Sequence, residues 1–136
     1  MPPPRRLELT IRIALILMGA ITATPALALI DTYALEVTYQ VTDSGPMEVA
    51  LLQHRGMLQL VLGAALVWAA FFPPARIAAA AAAITTKATF LALILPDPEL
   101  RGDLALFSTV FDLTCIVILT GLAAHRFAGG RREARA

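Results

Sequence analysis

The feature that most constrains this chain is a series of four apolar stretches, each long enough to cross a lipid bilayer. A membrane-spanning helix needs about 20 mainly apolar residues, and such stretches lie at 11–30, 48–72, 75–95 and 104–124. With their short connections they use nearly all of the 136 residues. The sequence therefore predicts an all-α membrane protein: a single transmembrane domain over 1–136 that forms a four-helix bundle with a polar first outer loop.

The composition favours the same interpretation. Hydrophobic residues make up 58% of the chain, charged residues only 15%, and the mean hydropathy is +0.73. A soluble domain of this size needs a polar surface that this composition cannot supply, whereas a bilayer accepts an apolar exterior. The lipid bilayer is thus the expected partner, and we expect no nucleic-acid partner.

Prolines mark the expected ends and bends of these helices. Pro25 predicts a kink late in the first span. Pro46 fits the first position of the second span, and Pro73-Pro74 ends it in a tight turn. Pro96 stops the third span, and Asp103 is the predicted N-cap of the fourth. In the outer loop, alternation over 33–41 predicts an extended segment, with a short surface helix as the alternative.

The arginines predict the orientation. They concentrate at the N-terminus, beside the 73–76 turn and in the basic tail 125–136, whereas the loop 31–47 has no lysine or arginine. The positive-inside rule then places both termini and the tail in the cytoplasm of a cell-membrane protein. The alternative is that residues 1–28 form a cleaved signal peptide ending at Ala26-Leu27-Ala28, although the length of the apolar stretch favours retention.

Four ionisable residues fall within the predicted spans: His54, Arg55, Lys87 and Asp112. A charge at mid-helix costs about 2.5–3.5 kcal/mol on insertion scales unless it is paired or hydrated. At about 1.5 Å per residue, Lys87 and Asp112 each lie about 12 Å below the outer boundary, and Arg55 about 10 Å. Glu48, Gln59 and Ser108 add polar groups on the same helices.

Two interpretations of this layer stay open. Asp112 can neutralise Lys87 or Arg55 and lock the helices together. Alternatively, His54, Arg55, Lys87 and Asp112 line an outward-facing polar pocket, with Glu48, Gln59 and Ser108 as secondary members. Two positive charges against one negative would then suit an anionic or carbonyl-bearing ligand, such as a lipid headgroup or a quinone, although Glu48 could cancel that surplus.

Several kinds of chemistry lack the residues they require. The single Cys115 excludes an intramolecular disulfide, and no Cys/His spacing predicts a metal site. The sequence has no complete set of nucleophile, base and orienting group, so an autonomous enzyme is not expected.

The second span carries a pattern similar to one in a known family. Gln53-His54-Arg55-Gly56 is followed by Leu60, by 62–66 (Leu-Gly-Ala-Ala-Leu) and by 69–71 (Ala-Ala-Phe). This stretch resembles the DoxX-like small four-helix membrane proteins. The resemblance implies a compact bundle with one site at its outer end, to which only His54 and Arg55 carry over, and an association with quinone-linked membrane redox complexes.

Three functions follow as hypotheses. The first is binding of a quinone-like or lipidic ligand, within a membrane redox complex. The second is a small homodimeric transporter in which Asp112 is the essential acid. The third is a structural subunit of a membrane complex with no chemistry of its own, which predicts Lys87 and Asp112 in a closed pair.

Overall fold

The structure is a computed structural model that describes residues 4–31, 33–34, 45–103 and 106–133. In this part of the chain all regular elements are helices. They are α1 (Arg5–Ala23), α2 (Pro46–Phe71), α3 (Arg76–Ile94), α4 (Pro98–Asp103) and α5 (Leu106–Glu133), with 3-10 helices at Thr24–Leu29 and Pro73–Ala75. Four helical segments, built on α1, α2, α3 and α5, are long and apolar enough to cross a membrane. The predicted all-α membrane protein with four spans is confirmed.

The helix ends differ from the prediction at three points. α1 begins at Arg5, before the predicted start at 11. α5 continues to Glu133, so most of the segment predicted as a separate tail belongs to the last helix. Asp103, the predicted N-cap of the fourth span, is the last residue of the short helix α4, which lies in a segment predicted as a loop. The predicted extended segment falls on residues that, from 35 onward, lie outside the described part of the chain.

Pro25 changes the type of helix at the end of the first span. Its ring nitrogen has no hydrogen to donate to the carbonyl of Ile21, one α-helical turn earlier. That carbonyl accepts instead from the backbone N–H of Thr24 and from the Thr24 hydroxyl, at 2.7 Å. The chain therefore tightens into the 3-10 helix Thr24–Leu29, which is the local form taken by the predicted kink.

The chain divides into two compact units, and the first, Met1–Ala75, is built on a close crossing of α1 and α2. A Cβ placed on Gly19 would lie 2.6 Å from the carbonyl oxygen of Gly63, and a Cβ on Gly63 would meet the Gly19 carbonyl in return. Likewise, a Cβ placed on Gly56 would lie 2.7 Å from the carbonyl oxygen of Pro25. Only glycine permits such backbone contact, and small residues are the usual basis of helix packing in membranes.

In the second unit, Arg76–Ala136, α3 packs against α5. Buried residues recur along α3 every three or four positions, from Ala79, Ala80 and Ala83 to Lys87. The buried alanines belong to the alanine run 78–83, whose small side chains suit close packing of helices. On α5 the buried residues are likewise one turn apart, at Asp112, Cys115 and Leu119. A charged residue thus sits within the buried row of each helix.

Candidate functional site

The seven residues singled out in the sequence belong to both units. The first unit holds Glu48, His54, Arg55 and Gln59, all on α2, and the second holds Lys87 on α3 with Ser108 and Asp112 on α5. In the second unit, Lys87 and Asp112 are in direct contact.

Lys87 and Asp112 form that contact. Lys87 Nζ donates a hydrogen bond to Asp112 Oδ1 at 2.5 Å, across 25 positions of sequence. The Lys87 side chain is 4% exposed and that of Asp112 is 13% exposed. The alanine run brings α3 close enough for this contact, because small side chains let neighbouring helices approach. The two residues predicted to lie at the same depth thus form a buried ion pair.

An aromatic ring completes the surroundings of the ammonium. The ring centroid of Phe111, on α5, lies 4.7 Å from Lys87 Nζ. A cation over the face of an aromatic ring is attracted by the ring's negative face, which adds about 2 kcal/mol where water is excluded. Phe107, one turn earlier, stacks on Phe111 with ring centroids 6.1 Å apart. Lys87 is thus held by two successive residues of one helix.

The pair changes the charge argument for a ligand. Isolated charges are costly to bury, and a short hydrogen-bonded contact with the opposite charge offsets much of that cost. Lys87 is neutralised by Asp112 within a single helix pair, so its charge is not a surplus available for an anion. Ser108 and Cys115 lie one turn either side of Asp112, the first partly buried and the second fully buried.

The candidate residues of α2 have different surroundings. His54 and Glu48 are exposed on the surface of the structure. Arg55 is partly buried, and it takes part in an interaction. Gln59 is partly buried, and its Oε1 atom is fully buried.

The Gln53–Gly56 stretch has an architectural use that the sequence alone did not indicate. The Gln53 side-chain amide donates a hydrogen bond to the carbonyl of Ala28 at 3.1 Å. This bond satisfies one of the carbonyls that the end of the 3-10 helix leaves without a donor. Gly56, three residues later, allows the close approach of Pro25. Two of the four residues of the stretch therefore fasten α2 to the end of the first span.

Two buried polar residues were missed in the sequence. The sequence predicts Arg76 as a charge of the connecting turn, but the residue is only 1% exposed and takes part in an interaction. Its spacing from Ala80, Ala83 and Lys87 follows the buried row of α3, so the sequence contains a signal for its burial. Thr22 is 3% exposed, and nothing in its sequence context distinguishes it from a lipid-facing threonine.

The described residues contain no group of three or more His, Cys, Asp or Glu side chains that could hold a metal ion. No protein family matches the chain, and no curated protein or solved structure is similar to it at a significant level. The DoxX-like resemblance stays a prediction.

Proposed function

We propose that this small integral membrane protein acts as a structural subunit of a membrane assembly, with its intramembrane charges serving its own architecture. The observation that supports this proposal is the closed Lys87–Asp112 contact at 2.5 Å. A structural role predicts such a pair, because each charge removes the cost of burying the other.

The ligand-binding hypothesis has less support in this geometry. It depended on an excess of positive charge among Arg55, Lys87 and Asp112, and Lys87 is already neutralised. The DoxX-like resemblance would imply a quinone-like or lipidic ligand and a redox partner. The contacts described above do not support that resemblance. The transporter hypothesis requires Asp112 to exchange partners during a cycle, and its side chain is only 13% exposed.

The experiment that tests the proposal measures particle mass for the wild type and for variants of the pair. Membranes that hold the tagged protein are solubilised in a mild detergent and analysed by native electrophoresis and native mass spectrometry. We expect the mass of the particle to be greater than that of one 14.5 kDa chain together with its bound detergent. The Lys87→Met/Asp112→Asn double variant should retain this particle, because it removes both charges and leaves neither unpaired.

The single variant Lys87→Met is the matched control, because it leaves Asp112 buried without its cation and should lose both stability and the particle. A wild-type particle that contains one chain alone would contradict the proposal. So would a double variant that is as stable as the wild type but loses the heavier particle. A stoichiometric organic ligand that leaves together with the charges would favour the ligand-binding hypothesis instead.

A further inference from the structure

The hydroxyl of Thr22 differs from those of other threonines in the spans. Thr86 and Thr114 donate to the carbonyls four residues earlier, Ala82 and Val110, at 2.9 Å and 2.7 Å. This bond to the preceding turn is the usual way to satisfy a threonine inside an apolar helix. Thr22 Oγ1 is buried and has no hydrogen-bond partner among the residues that the structure describes.

A second unpaired atom lies on the neighbouring helix. Gln59 Oε1 is also buried, and it too lacks a partner within the described part of the chain. An amide oxygen accepts hydrogen bonds and cannot donate them, whereas a hydroxyl does both. Leaving a buried polar atom without a partner is unfavourable, and most such atoms in native proteins are satisfied by protein or by a bound molecule.

The contacts between α1 and α2 place the two residues at one level. Gly19 meets Gly63, and Pro25 meets Gly56, so the helices run antiparallel. Thr22 lies between Gly19 and Pro25 on one helix, and Gln59 lies between Gly56 and Gly63 on the other. The two polar residues therefore face the same layer of the interface.

Their directions agree as well. Each lies three residues after a contact glycine, and at about 100° per residue this turns it about 60° from the line joining the helices. In an antiparallel pair, equal rotations carry both side chains to the same side of that line. Backbone contacts hold α1 and α2 together on either side of this layer, yet no hydrogen bond joins the two groups across it in the described part of the chain.

We infer that Thr22 and Gln59 form a binding site for a hydroxyl group at the interface of α1 and α2. One hydroxyl can donate to Gln59 Oε1 and accept from the Thr22 O–H, which satisfies both atoms. The group belongs to a neutral molecule, either water or a hydroxyl-bearing amphiphile, because neither Thr22 nor Gln59 offers a charge to balance an ion in this apolar layer. This site goes beyond the proposed structural function and does not depend on it.

The test compares 1-octanol with octane, which share an apolar chain and differ in the hydroxyl. The full chain is held in a detergent without hydroxyl groups, and its Tm is measured with each additive. The variants are Thr22→Val, Gln59→Leu and the conservative Thr22→Ser, with Thr114→Val as a matched control whose hydroxyl is satisfied within its own helix. Water is detected separately on the wild type, by NMR cross-relaxation from long-lived water to the Thr22 methyl group.

An octanol-specific rise in Tm that disappears in Thr22→Val and Gln59→Leu, and persists in Thr22→Ser and Thr114→Val, identifies an amphiphile site. A long-lived water signal at Thr22 without the octanol effect identifies a water site. The inference is overturned if the wild type shows neither signal. An increase in the Tm of Thr22→Val or Gln59→Leu above that of the wild type would also contradict it. Both readouts use the wild type first, so poor folding of a variant does not prevent a decision.

Discussion

Lys87 on α3 and Asp112 on α5 are joined by a 2.5 Å hydrogen bond, although 25 positions separate them in the chain. Both belong to the buried rows through which their helices pack. In lipid there is little hydrophobic force between helices, so packing and polar contacts carry their association. The pair is therefore expected to fix the alignment of α3 against α5.

The first prediction concerns the free energy of unfolding of the Lys87 and Asp112 variants. Lys87→Met and Asp112→Asn should each cost about 3–5 kcal/mol, because each leaves a buried group without its partner. The double variant should recover most of that loss, since no charge is left unpaired. Reversible unfolding in mixed micelles measures all four proteins of this cycle. Additive losses in the double variant would show that the two residues act independently.

The second prediction concerns the ring beside the ammonium. Phe111→Leu keeps an apolar side chain but removes the ring face that lies 4.7 Å from Lys87 Nζ. We expect a loss of about 1–2 kcal/mol, and a much smaller loss when the same change is made in the Lys87→Met/Asp112→Asn background. Phe107→Leu is the control, because it removes only the stacking on Phe111. Equal losses in both backgrounds would mean that the ring contributes packing alone.

Hydropathy predicted the spans because lipid imposes a simple requirement of length and apolarity. The common depth of Lys87 and Asp112 was also predictable, because helical rise converts sequence position into depth. The predicted depth did not decide the partner, because the depth predicted for Arg55 differs from theirs by only about 2 Å. That choice depends on which helices pack together, and hydropathy carries no information about helix neighbours.

Other features depend on contacts that one residue cannot reveal. Gly19 and Gly63 are 44 positions apart, and neither predicts the other until α1 and α2 are aligned. Thr22 became notable only because its hydroxyl lacks the bond that Thr86 and Thr114 make. The burial of Arg76 follows the spacing of the buried row of α3, but its place beside Pro73-Pro74 predicts a residue of the connecting turn.

The third prediction tests the glycine crossing. Gly19→Ala places a Cβ 2.6 Å from the Gly63 carbonyl and 2.8 Å from Val67 Cγ2, so α1 and α2 must separate. We expect a loss of about 1–3 kcal/mol in stability. Gly121→Ala is the matched control in another span, since its added Cβ meets nothing within 4 Å. It should be neutral or stabilising by up to about 1 kcal/mol, and a loss equal to that of Gly19→Ala would contradict the crossing.

The fourth prediction separates the roles of neighbours in the Gln53–Gly56 stretch. Gln53→Leu removes the donor to the Ala28 carbonyl and should cost about 1 kcal/mol. His54→Ala changes an exposed side chain and should alter stability by less than about 0.5 kcal/mol. Thermal unfolding in detergent gives both values. A larger effect of His54→Ala would contradict the exposed position of its side chain.

The fifth prediction concerns topology, for which charge bias places both termini and the Pro73–Ala75 turn in the cytoplasm. Asp31 follows the first span and Pro74 follows α2, and both residues are exposed. In the predicted topology, Asp31→Cys and Pro74→Cys therefore report on opposite sides of the membrane. The native Cys115 is buried and should remain unlabelled by an impermeant maleimide. Intact cells should label Asp31→Cys at once and Pro74→Cys only after permeabilisation, because arginine beside the turn resists transfer across the membrane. The reverse labelling pattern would refute the charge-based orientation. If the mature protein instead began after residue 28, the first span would be absent and the new N-terminus would lie on the outer side.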